Sequence, residues 1–117
     1  MGAVVVSEDF RIPVWLGAPP CGAKGIACVL PAGADPVDCP YEMASPHRHV
    51  GFCVCCCGRA PVAEALSRLY LRAARGELPP LTAIYAPGWD KVGRGEVARV
   101  LVADGFCAAR FRLGGAA

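Results

Sequence analysis

Proline and glycine set the strongest limit on what this chain can fold into. With 14 glycines and 11 prolines among 117 residues, they make up about a fifth of it and cut the 55% apolar content into short runs. Proline lacks a backbone donor and glycine has the greatest backbone freedom to lose, so helices are confined to stretches poor in both. Two such stretches exist, both in the second half. Val62, Leu66, Leu69 and Ala73 recur at helical spacing. Pro61 suits the first turn, and Gly76 suits the C-cap after Arg72 and Arg75. A second helix is predicted for EVARVLVADGFCAARF (96–111), with Val97, Val100, Leu101 and Ala108 inward and a break at Gly105.

The remaining segments read as strands and turns. RIPVWL (11–16) is a short strand ending in GAPPCGAKG, IACVL (26–30) fits a strand or a helix turn, and 31–50, with four prolines, reads as irregular. TAIYA (82–86) suits a buried strand, and PGWDKVGRG a turn. Strand, loop, helix, strand, helix indicates a single α/β domain with a short, mostly parallel sheet, two main helices and only two or three strands. So few strands make a thin core with open edges.

Composition narrows the function. The net charge is +2 and the twelve basic residues are scattered, which gives no support for nucleic-acid binding. MGAVVVSEDF fits neither a signal peptide nor a membrane span, so a cytoplasmic protein is expected. Eight cysteines, at 21, 28, 39, 53, 55, 56, 57 and 107, then read as reduced thiols. Four fall within five positions, just ahead of the helix at Pro61. Its positive dipole end favours the thiolate form. Cys53 and Cys55 face the same way in an extended segment and Cys56 can turn in beside them, a soft donor set suited to zinc or copper(I). His47, His49, Cys57 and Cys39 are candidates for a fourth ligand. Cys21, Cys28 and Cys107 read as buried thiols, and Trp15 and Trp89 as packing residues.

These same residues carry a family resemblance. Cys53-Val54-Cys55-Cys56, Arg59, Glu64-Ala65-Leu66 and ARGELPP (74–80) resemble the GCxCC motif and following helix of the CobW-like P-loop GTPases. These are metallochaperones grouped with nickel-insertion GTPases. EVARVLVADGFCAARFRLGG (96–115) is similar to the family helix typified by LLADPFVAARFRLDG, and RIPVWLG (11–17) looks like its first strand. The resemblance implies a P-loop-type three-layer α/β unit, zinc on Cys53, Cys55 and Cys56, GTP with Mg²⁺, and a metalloprotein client or a full-length relative as partner.

The departures fall on the nucleotide side. A P-loop needs G-x-x-x-x-G-K-[ST], in which backbone N–H groups cradle phosphate and the hydroxyl holds Mg²⁺. Gly17, Gly22 and Lys24 remain in an eroded version, with one residue before the lysine, two prolines, and Gly25 in place of the hydroxyl. Tyr85-Ala86-Pro87-Gly88 replaces the acidic ETTG, and there is no NKxD stretch. Three readings follow: a metal-binding relative with little or no GTP hydrolysis, a GTPase with a variant phosphate loop, and a non-functional remnant. In the first, zinc would also fix 31–52 against the first helix, and its binding energy would become folding energy.

Overall fold

The structure is a computed structural model that describes residues 10–20, 22–44 and 60–116. Five strands, β1 (Ile12–Leu16), β2 (Ile26–Pro31), β3 (Tyr41–Ala44), β4 (Ala83–Tyr85) and β5 (Phe111–Ala116), form one sheet in the order β3-β2-β4-β1-β5. Every pairing is parallel. The helices are α1 (Pro61–Ala74), α2 (Lys91–Ala103) and the short α3 (Gly105–Arg110). The α/β class and the parallel sheet agree with the sequence reading.

Three expectations are corrected. The 31–50 stretch is not wholly irregular, because Tyr41–Ala44 pairs with β2 from Cys28 to Pro31. Its edge position is held from the helix side. Glu42 accepts hydrogen bonds from Arg68 Nε at 2.8 Å and Arg72 Nη1 at 3.0 Å, and Arg68 Nη2 donates to the Met43 carbonyl at 3.0 Å. The second helix starts at Lys91 and not at Glu96, because Asp90 caps it by accepting from the Gly93 N–H at 2.7 Å. The chain after Arg110 is a fifth strand, so five strands replace the two or three counted in sequence. β5 pairs with β1 from Ile12 to Leu16 with a shift in register after Val14, and Trp15 lies over Gly114, where a Cβ would come within 2.8 Å of the indole.

Pairing register assigns the faces. Val14 is level with Ile84, Ile84 with Ala27, and Val29 with Glu42, so these side chains share the face that meets α1. They join Val62, Leu66 and Leu69 of α1, Val97 and Leu101 of α2, and Phe111 in one core. Burying each large aliphatic side chain stabilises by roughly 1.5–3 kcal/mol. α1 and α2 contact each other and therefore lie on one side of the sheet.

Among the described residues the opposite face has no helix, because β1 joins β2 through 17–25 and β2 joins β3 through 32–40, nine residues each. Parallel connections usually take a dozen or more residues and contain a helix. These hold Gly17, Pro19, Pro20, Gly22 and Gly25, and Gly33, Pro36 and Pro40, which exclude one. Both run beside Ile26 on this face, where irregular chain forms the third layer.

Two glycines of α2 provide a test of its packing. A Cβ at Gly93 would lie 2.7 Å from the Trp89 ring, whereas one at Gly95 meets nothing within 4 Å. Gly93→Ala is expected to destabilise by about 1–3 kcal/mol through overpacking, and Gly95→Ala to stabilise by about 0.5–1 kcal/mol through helix propensity. Urea unfolding of the two variants measures both. Equal effects of the same sign would disprove the packing of Trp89 on Gly93.

Candidate functional site

In an open parallel sheet, ligands bind at the carboxyl edge where neighbouring connections leave toward opposite faces. Here that point lies between β2, whose chain turns to the helix-free face, and β4, whose chain turns to α2. A crevice of about 660 Å³ occupies it, lined by Pro31–Ala34, Gly88–Asp90, Val92, Gly93 and Glu96. Trp89 forms one wall and is pinned by its Nε1, which donates to the Val29 carbonyl at 2.9 Å.

The polar groups of the crevice are engaged and acidic. Asp90 occupies the N-terminus of α2 as its cap, and Glu96 accepts from Arg99 Nη2 at 2.9 and 2.7 Å. Among the described residues no lysine or arginine lines it. The positive end of α2 is thus taken by a carboxylate, and a phosphate would meet like charge. Val92 at the mouth is 82% exposed. The walls suit a small apolar or cationic group better than a nucleotide phosphate.

The glycines and lysine of the eroded loop are separated. Gly17 follows β1 at the carboxyl edge. Gly25 instead ties the amino ends of two strands: its carbonyl accepts from Thr82 N–H at 2.7 Å and from Thr82 Oγ1 at 3.1 Å. Its φ is +75° and a Cβ would approach the Pro80 carbonyl to 3.0 Å, so glycine is required for that tie. Ile26 is level with Ala83, and Val14 with Ile84. Gly17 and Gly25 are therefore about five residue spacings apart along the strands, or ~16 Å. Lys24 is exposed beside Gly25, Gly22 lies in the turn between with φ +76°, and the chain runs on into β2 with no helix. The structure does not gather these three residues into one cradle.

Cys53, Cys55 and Cys56 lie outside the described residues, as do Cys21, His47, His49, Cys57 and Arg59. The chain enters that stretch after Ala44 at the carboxyl edge and leaves it at Ala60. α1 runs antiparallel to β3, since Arg68 bonds the Met43 carbonyl and Arg72 the Tyr41 carbonyl, which puts its N-terminus at the same edge. Ala60 provides no capping side chain there. Among the described residues no group of three or more His, Cys, Asp or Glu is placed to hold a metal ion, and no helix is long and apolar enough to cross a membrane.

The described cysteines are more informative than their sequence reading. Cys28 and Cys107 are buried, as expected. Cys39, a candidate fourth ligand, lies with its Sγ 3.0 Å from Cys28 Sγ. No sequence signal marks that pair, which exists because the 32–40 connection folds back over the strand it leaves. The Cys28 thiol is pushed far up from its ordinary value, first by burial and then by the hydrogen bond and charge of Cys39. Comparison with known proteins finds no matching family model, curated protein or solved structure.

A raised thiol pKa links stability to alkaline pH. Unfolded Cys28 ionises above about 9, while folded Cys28 stays protonated. Its contribution is full below that pH and is lost as pH rises past it, by about 1.4 kcal/mol per pH unit. Urea unfolding between pH 8 and 10.5 is expected to show a shallower alkaline decline in Cys28→Ala than in the parent. Parallel declines would mean that Cys28 is not shielded in the folded state.

Proposed function

We propose that this protein is a thiolate metal binder, with zinc as its ion, related to the CobW-like metallochaperones and with little or no GTP hydrolysis. The observation that carries the reading is the Cys53-x-Cys55-Cys56 spacing immediately ahead of α1. Three thiolates are a soft donor set that fits zinc, and they are deprotonated more readily beside a positive helix end. Ala60 provides no capping side chain at that end, and Glu64 is the acidic residue of the first turn. When bound, zinc would cross-link the chain on the β3 side to the start of α1.

Separation of Gly17 from Lys24, and the carboxylates of the crevice, support the lack of GTP chemistry. Phosphoryl transfer depends on a backbone cradle, a lysine and an anchored Mg²⁺ converging on one phosphate chain. Passive zinc holding or delivery to a metalloprotein client remains within reach of the thiols, an activity that suits the cytoplasm, where thiols stay reduced.

Metal analysis of protein purified without added metal is expected to give about one zinc per chain, lost in the triple variant Cys53→Ser, Cys55→Ser, Cys56→Ser. Full zinc in the triple variant would sink the assignment. Calorimetry with GTP and Mg²⁺ is expected to show no micromolar binding and no phosphate release. Binding that disappears in Lys24→Ala would favour the variant GTPase instead.

A further inference from the structure

Cys28 and Cys39 form a second thiol site, apart from the cluster at 53–57. Their Sγ atoms are 3.0 Å apart, about 1 Å longer than the bond of a disulfide. The backbones are already joined beside them, since Cys28 N–H donates to the Pro40 carbonyl at 2.8 Å. Little chain movement separates contact from covalent bond.

Their exposures differ in the way thiol–disulfide exchange requires. Cys28 is completely buried on the helix-free face of β2. Cys39 is half-buried and opens on a hollow of about 370 Å³ between the two irregular connections, walled by Pro19, Pro20, Ala23, Ile26 and Val37. A small disulfide can reach Cys39, and among the described cysteines it is Cys39 that lies against Cys28.

We propose that Cys28 and Cys39 are a reversible dithiol–disulfide pair, oxidised by a small-molecule disulfide of the glutathione type. Cys39 loses its proton and attacks one sulfur of glutathione disulfide, releasing one glutathione. Cys28 then loses its proton and attacks the Cys39 sulfur, breaking the mixed disulfide and releasing the second glutathione. The protein gives up two electrons and two protons, and glutathione disulfide becomes two glutathione thiols. Burial keeps Cys28 protonated until then, so it does not start the exchange. The new bond closes a ring around 32–38 and fixes Ala32–Ala34, one wall of the crevice, at both ends of their connection.

The test uses the full chain, reduced and then incubated with glutathione disulfide, with free thiols alkylated before digestion. Trypsin leaves 25–48 as one peptide whose only cysteines are 28 and 39. That peptide is expected to be unalkylated and lighter by two hydrogens. The melting temperature is expected to rise by about 5–10 °C, and dithiothreitol should reverse both changes. Cys39→Ser should melt like the reduced parent and show no rise, and Cys28→Ala should stop at the glutathione adduct on Cys39. The proposal fails if Cys28 of the parent is alkylated after Cys39 has reacted, if Cys39 joins any other cysteine, or if neither reacts. Because 25–48 excludes Cys53, Cys55 and Cys56, the same test repeated on the triple variant Cys53→Ser, Cys55→Ser, Cys56→Ser separates this outcome from zinc binding.

Discussion

Two connections of nine residues govern this fold. Each must return a parallel strand from the carboxyl to the amino edge, and each is too rich in proline and glycine to do so as a helix. An extended chain of that length reaches about 30 Å, enough for the return but not for a packed layer. Among the described residues, the two helices on long connections therefore share one face with α3, and the irregular connections lie on the other. The divergence of β2 from β4, and hence the crevice, follows from the same arrangement.

The shortness of β3 is offset by a charged clamp. Glu42 points to the helix side and meets Arg68 and Arg72, one turn apart on α1. Arginine suits this geometry because its planar fork serves a carboxylate and a backbone carbonyl together. At the other edge, Tyr70 stands edge-on to Phe106 and Phe111, with ring centres 5.6 and 6.1 Å away, and so packs α1 against α3 and β5. α1 is thus fixed along its length to both ends of the sheet, and its N-terminus is held at the carboxyl edge, where the cysteine-rich stretch joins it.

The described groups of that edge differ from those of a phosphate site. Phosphate sites combine free N–H groups at a helix start with a basic side chain. Here Asp90 caps α2 and Glu96 lies nearly two turns further along, while Lys24 stands at the opposite edge. The glycine of AKG, which stands where a phosphate loop would have its hydroxyl, serves as a backbone tie to Thr82.

Much of the framework was legible in the sequence because it depends on local rules. The period of Val62, Leu66 and Leu69 specifies α1 and its buried face, Pro61 and Gly76 bound it, and proline and glycine keep the described connections 17–25 and 32–40 from being helices. β1, β2 and β4 are short apolar runs between turn signals and declare themselves in the same way. β3 and β5 do not. YEMA and FRLGGA have no clear alternation, and they become strands only because a neighbouring strand offers unpaired backbone and because Arg68, Arg72 and Trp15 hold them there. The early start of α2 was hidden by two glycines, one of which is needed by the Trp89 ring. The crevice, the separation of Gly17 from Lys24 and the meeting of Cys28 with Cys39 lie further still from local signals. Each depends on which face a connection crosses, and strand order determines that through contacts between residues distant in the chain.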